Sequence, residues 1–302
     1  MRPLVSMDTI QIEITNACPL NCANCTRFGR HVKKPFMMSY EQFTQAVDSM
    51  VGYPKMVGMM GGEPLLHPDF EKMCKYLSQK IPPRQCGLWT CLPSGKEHYR
   101  EVICETFDNI FVNDHTRDDI MHHPFLVSAR EIIGLDEAVK WVLIDQCRFQ
   151  CSWSASINPH GAFFCEMAAS LSMLLSSKPD GWPVEPGWWW KTPKDYVGQM
   201  ESYCMLCGGA MPLQKRVSTT CRDEISPDMV QRLSFSPKIA KGEYDVSNCM
   251  TCDDRTQEAT YKDQKYRDII GSRYGIYMMP NEDSFLKPYL SKSWKGGKKD
   301  GI

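Results

Sequence analysis

Fifteen cysteines in 302 residues, many in tight pairs and triplets, limit this chain more than any other feature. A secreted disulfide scaffold is normally a short, loop-rich chain with an even count. Here the chain is long and the count odd, so in a reducing compartment the spacings point to thiolates for a metal or an iron–sulfur cluster. Charged residues at 24% and hydrophobic residues at 42% are ordinary for a globular protein and argue against wholesale disorder. Thirty-five basic against 36 acidic side chains leave no basic surplus of the kind duplex binding needs. No stretch approaches the ~18 apolar residues of a membrane helix, and the opening segment has no apolar signal core. The expectation is a cytoplasmic protein with metal chemistry and neither nucleic acid nor membrane as partner.

The first half alternates short apolar runs with helical patterns. Strands are predicted at 10–15, 56–60, 87–92, 109–113 and 141–145, and helices at 39–51, 69–80 and 95–107, with a weaker one over 125–140. Ser39 followed by an acidic first turn marks a helix start. Such alternation means βαβ units and a parallel sheet or barrel, an α/β fold, with fewer strands than a closed eight-stranded barrel. Beyond about residue 145 cysteines, turns and aromatics take over, including Trp182 and the run Trp188, Trp189 and Trp190. This places domains at 1–140 and 141–255, followed by a segment over 256–302 with a flexible basic tail.

Cys18, Cys22 and Cys25 follow the first strand directly, at the edge where parallel α/β folds bind ligands. Three thiolates hold three irons of a [4Fe–4S] cube and leave the fourth open, whereas structural zinc sites are normally closed. Gly61, Gly62, Glu63 and Pro64 follow the second strand; glycines permit close backbone approach, and a carboxylate accepts hydrogen bonds from an ammonium. Alone, the cysteines could belong to a zinc site and the glycines to a plain turn.

Together, on successive strands, the two motifs resemble the signature of the radical S-adenosylmethionine (radical SAM) superfamily. The resemblance implies a partial (βα)5-6 barrel, a [4Fe–4S] cluster on Cys18, Cys22 and Cys25, and S-adenosylmethionine with its methionine amino group at Gly61 to Pro64. It implies a flavodoxin- or ferredoxin-type electron donor. It further places Thr90 and Asn113 near the nucleoside. Asn24 stands where many members carry an aromatic residue, and Phe28 is the candidate to stack on the adenine instead.

Cys147, Cys151, Cys165, Cys204, Cys207, Cys221, Cys249 and Cys252 make two sets of four, enough to ligate two further cubes. Between Cys151 and Cys165 the pattern of strand, turn glycine and strand predicts a hairpin that brings its ends together. It resembles the opening of the SPASM and twitch extensions of radical SAM enzymes, with three residues instead of four between Gly161 and Cys165. That resemblance implies one auxiliary [4Fe–4S] cluster on Cys147 or Cys151 with Cys165, Cys204 and Cys207. A second would use Cys221, Cys249, Cys252 and the remaining cysteine, although the 13 residues between Cys207 and Cys221 exceed the compact family spacing. The alternative is a zinc ribbon on Cys204, Cys207, Cys249 and Cys252.

Among smaller features, Asp114 and His115, with His122 and His123, sit after strand four, where they can bind a polar substrate, move a proton, or form a solvated loop. Cys91 can return a hydrogen atom to a substrate radical, or be a small buried thiol like Cys74, Cys86 and Cys104. The tryptophan run is expected to staple the cysteine-rich half. With about ten residues before the first strand, the chain leaves no room for an N-terminal peptide-binding domain. The resulting expectation is hydrogen abstraction from a small, polar, carbohydrate-like substrate in an oxidation or epimerisation. Its rivals are a peptide- or protein-modifying maturase and a non-enzymatic zinc-binding module.

Overall fold

The computed structural model describes residues 1–252 apart from Asp114 and Trp153, together with the backbone of Gly275–Met278. In chain order the main elements are β1 (Thr9–Thr15), α1 (Tyr40–Ser49), β2 (Met56–Gly61), α2 (Phe70–Lys80), β3 (Cys86–Thr90), α3 (Arg100–Thr106), β4 (Asn109–Val112), β5 (Met121–His122) and α4 (Glu137–Asp145). There follow α5 (Arg148–Ser152), β6 (Ser154–Asn158), β7 (Gly161–Phe163), α6 (Glu166–Leu175), α7 (Val197–Tyr203), β8 (Arg216–Val217), β9 (Asp223–Ile225), α8 (Pro227–Arg232), α9 (Pro237–Ala240), β10 (Tyr244–Val246) and β11 (Gly275–Met278). The expected Asp114 and the segment 256–302 with its basic tail lie outside the described residues, β11 excepted.

One mixed α/β sheet organises the chain, in the order β11-β4-β3-β2-β1-β6-β7. All neighbours pair in parallel except β6 with β7, which form a hairpin closed at Asn158 and Gly161. The predicted strand–helix alternation thus produces a parallel sheet, and the predicted hairpin is present. The sheet also runs across the boundary expected near residue 140, because β6 pairs directly with β1.

On β1 the apolar residues Ile10, Ile12 and Ile14 alternate with Gln11, Glu13 and Thr15, and all are buried. A strand covered on both faces must satisfy its polar face internally. Ser156 does part of this by donating to Glu13 at 2.8 Å. The apolar face packs with α1 and α2 through Phe43, Val47, Phe70 and Leu77 in one continuous core. Ser39 starts α1 with a full capping box, its hydroxyl accepting from the Gln42 amide while the Gln42 side chain accepts from the Ser39 amide.

Two elements differ from the sequence pattern. Residues 141–145 were expected as a strand, yet they end helix α4. A short apolar run fits either period; here Lys140 and Ile144, one helical turn apart, are buried while Val142 is exposed. The weak helix over 125–140 is instead a buried turn at Phe125, Leu126 and Val127 and a 3-10 turn at Ala129–Glu131, with helix α4 beginning only at Glu137. Cys104, expected in the core, is exposed on α3, whose buried face carries Val102, Ile103 and Thr106. The tryptophans divide: Trp182 pairs through its backbone with Ala162 on the hairpin of the cysteine-rich half, while the Trp189 ring nitrogen donates to the Ser49 carbonyl at the end of α1.

Candidate functional site

Strand β1 reaches the cysteine loop through a register break between Glu13 and Thr15, a bulge that re-aims the chain as it leaves the sheet. The loop then crosses the end of β2. A Cβ on Gly61 would stand 2.2 Å from the Thr15 carbonyl oxygen, and one on Gly62 2.4 Å from that of Ala17. Only glycine fits, and the contact lets the amides of Gly62 and Glu63 donate to the Thr15 and Ala17 carbonyls at 2.8 and 2.7 Å. The Gly-Gly-Glu turn therefore carries the start of the cysteine loop.

Cys18, Cys22 and Cys25 are all partly exposed on this loop. Burial and the neighbouring thiols push the Cys18 thiol up to about 12 and raise that of Cys22 as well. Close grouping of soft, proton-holding donors suits a cation that displaces the protons, as iron in a cluster does. Among the described residues no three His, Cys, Asp or Glu side chains stand in a finished ion cage. The thiols are gathered without being locked together.

The loop backbone is tied down from far away. Arg30 donates to the carbonyls of Leu20 and Pro19, both at 2.8 Å. The Lys238 ammonium donates to the Cys22 carbonyl at 3.2 Å and pairs with Asp223 at 2.7 Å. Asp223 accepts from the Asn24 amide and from His31 Nε2 at 2.6 Å, while the Asn24 side chain accepts from the Glu224 amide at 2.9 Å. Asn24 has a φ of 50°, which Asn tolerates better than an aromatic residue would. His122 Nδ1 donates to the Ala23 carbonyl at 2.7 Å, and its Nε2 faces His115 Nδ1 at 3.0 Å. Since a carbonyl only accepts, neutral His122 carries its proton on Nδ1 and receives one from His115. Burial lowers both imidazoles, His115 to about 3, so both are neutral at pH 7.

Glu63 is fully buried. Its carboxylate accepts from Thr90 Oγ1 at 2.7 Å, the Cys91 amide at 2.7 Å and the Leu65 amide at 3.0 Å. These partners are all neutral; among the described residues Glu63 has no ion-pair partner, and burial raises its pKa. A carboxylate left in that state fits an incoming ammonium, the group S-adenosylmethionine would present. Cys91 is partly exposed, and burial with the Glu63 charge keeps it a neutral thiol. Thr90 is turned to Glu63, and Pro64 is buried at the start of a 3-10 turn. The Asn113 amide donates to the Thr90 carbonyl at 2.9 Å and its carbonyl accepts from His115, which places it at the same edge. Phe28 is 2% exposed in the core with its ring edge-on to His31, which leaves little free face for an adenine.

The second cysteine set is built differently. Cys147, Cys165, Cys204 and Cys207 line one apolar cleft with Ile144, Phe164 and Leu171. Burial, and the presence of one another, raises the Cys165 and Cys204 thiols well above the ordinary range and brings Cys207 to about 12. Cys151 points away, its Sγ near the Asp145 carbonyl and the Gln150 side chain. His123 Nε2 lies 2.8 Å from the Gly208 carbonyl oxygen, next to Cys207 in the chain. Cys221, Cys249 and Cys252 are not gathered in this way: Cys221 lies near Cys22, the charged neighbours of Cys249 are Glu131 and Glu224, and Cys252 Sγ lies 3.3 Å from the Pro212 carbonyl oxygen.

Residues 12–126, from within β1 to beyond β5, match the Radical SAM superfamily. The family works with a [4Fe–4S] cluster and S-adenosylmethionine. Among solved structures the chain is similar to the crystal structure of BtrN in complex with AdoMet and 2-DOIA, at 14% identity and a TM-score of 0.39, over 56% of this chain and 77% of that one. It is also similar to a selenomethionine form of BtrN in an open conformation, at 13% identity and 0.37, over 53% and 70%. No curated protein matches the chain. Among the described residues no helix is long and apolar enough to cross a membrane.

Proposed function

We propose that this protein removes a hydrogen atom from a carbon of a small, polar, carbohydrate-like substrate, with one auxiliary iron–sulfur cluster assisting an oxidation. When bound, a [4Fe–4S] cluster with S-adenosylmethionine supplies a 5′-deoxyadenosyl radical able to attack an unactivated C–H bond. Cys18, Cys22 and Cys25 hold that cluster, Glu63 receives the methionine ammonium, and the strapped loop backbone keeps the three thiols in place. Cys147, Cys165, Cys204 and Cys207 hold the auxiliary cluster in a dry cleft, where burial tunes its potential. The observation that carries this reading is the convergence of those four thiols, from three separate segments, on one apolar cleft beside the stretch that matches the Radical SAM superfamily. The polar face of Gln11, Thr15, Ser154 and Ser156 on the central strands supports a polar substrate. We place the protein in the cytoplasm, with a flavodoxin- or ferredoxin-type electron donor. A second reading, epimerisation, draws on Cys91, a neutral thiol close to Cys18 that can return a hydrogen atom.

Anaerobic reconstitution followed by dithionite tests the proposal. The expected protein is brown, holds about 8 irons and releases 5′-deoxyadenosine. It takes deuterium from labelled aminocyclitols or sugars into that product. Label arriving from peptides instead would replace the substrate class with that of a maturase. Colourless protein with stoichiometric zinc would refute the radical chemistry altogether.

A further inference from the structure

Arg27 lies two residues beyond Cys25 and is 4% exposed. Its guanidinium pairs with Glu13 on β1 and, from Nη2 at 2.7 Å, with Glu166 at the start of α6. The two carboxylates are as deeply buried, at 2% and 3%. Ser156 and Ser154 on β6 donate to Glu13 and Glu166 at 2.8 and 3.0 Å, so both arms are braced by the same strand. Glu166 directly follows Cys165. A single buried cation thus joins the loop of the first cysteine set to the segment that carries the second.

Replacing a buried ion triad by apolar residues of similar volume is often neutral or stabilising, so bare stability explains this one poorly. Fixing geometry is the better-attested use of such a group, and the planar guanidinium fork sets angles that a point charge does not. We propose that Arg27 is a positioning residue that fixes the relative placement of the two cysteine sites, so that the metal centres they hold stand at one defined separation. The inference rests on the reading that both sites carry iron–sulfur clusters.

The test compares anaerobically reduced holoenzyme of the wild type with Arg27→Lys, Arg27→Met and Glu166→Gln. Iron content and the magnetic interaction between the two reduced clusters, by pulsed electron paramagnetic resonance, are the readouts. Wild type is expected to show both clusters with a single narrow interaction. Arg27→Met and Glu166→Gln keep their iron while the interaction weakens severalfold or spreads into a broad distribution, and Arg27→Lys falls between. Variants with full iron and an unchanged interaction would overturn the proposal. Should Arg27→Met fail to fold, Glu166→Gln and Arg27→Lys decide alone, since each keeps its position filled. Wild type with iron for one cluster would defeat the two-cluster reading and the inference with it, and iron content shows this before any variant is made.

Discussion

Cys18, Cys22 and Cys25 lie on a single loop, partly exposed, with a backbone held by bonds to distant residues. Cys147, Cys165, Cys204 and Cys207 come from three segments and line an apolar cleft in which Cys165 is almost fully enclosed. In the first site local sequence brings the thiols together and tertiary contacts hold the loop still. In the second the fold itself does the gathering, with apolar side chains such as Ile144 and Leu171 around the thiols. The difference suits different tasks: a site that must admit a cosubstrate needs an accessible face, and one that only carries charge is better dry.

The sharpest way to break this comparison is to remove one thiol from each side. Cys18→Ala is expected to reduce 5′-deoxyadenosine release to background while the iron of the second site remains. Cys204→Ala should lose iron from the second site, keep cofactor cleavage and lose substrate turnover. Iron analysis beside product chromatography checks both; loss of cleavage in Cys204→Ala would mean that the sites are not separable.

Glu63 gives a smaller effect. Glu63→Gln should weaken S-adenosylmethionine binding about 10- to 150-fold, the equivalent of roughly 1.5–3 kcal/mol for a charge-assisted hydrogen bond, read by equilibrium binding. The sign of its pH effect follows from burial, which raises this carboxyl above 4.5 in the folded protein. The folded state then holds its proton longer than the unfolded chain does. Cluster-free protein should therefore lose stability as pH rises from about 4.5 through the raised value, and Glu63→Gln should flatten that slope.

The smallest expected change concerns the imidazole pair that holds the Ala23 carbonyl. His122→Ala should cost about 1–3 kcal/mol by leaving that carbonyl without its donor, measured by denaturant melts. Both imidazoles titrate below the ordinary 6.5 in the folded state, His115 at about 3. Their neutral pairing is intact above pH 6.5 and fails as pH drops toward 3, so the penalty of His122→Ala should shrink between pH 7 and pH 5.

What could be read in the sequence follows the same division. The three cysteines and the Gly-Gly-Glu turn are short-range motifs on adjacent strand ends, so spacing exposes them. The bonds from Asp223 to His31 and from Lys238 to the Cys22 carbonyl span 192 and 216 residues, and no local pattern announces them. The choice of Cys147 over Cys151 depends on the short helix α5, which turns Cys151 toward Asp145. The start of the cysteine-rich half reads as a strand and folds as the end of helix α4 because four apolar residues in a row, Trp141 to Ile144, fit either period until burial decides.

The strap across the cysteine loop also orders events during biosynthesis. Synthesis runs from the N-terminus, so Cys25 leaves the ribosome long before Ser218, Asp223 and Lys238, on which its loop will lean. Until then the nascent loop has only nearby supports such as Arg30 and the glycine turn. A metal arriving early would meet a pliable hook, and one arriving late a finished socket. The order of synthesis thus leaves this loop without its main supports until the last third of the chain is made.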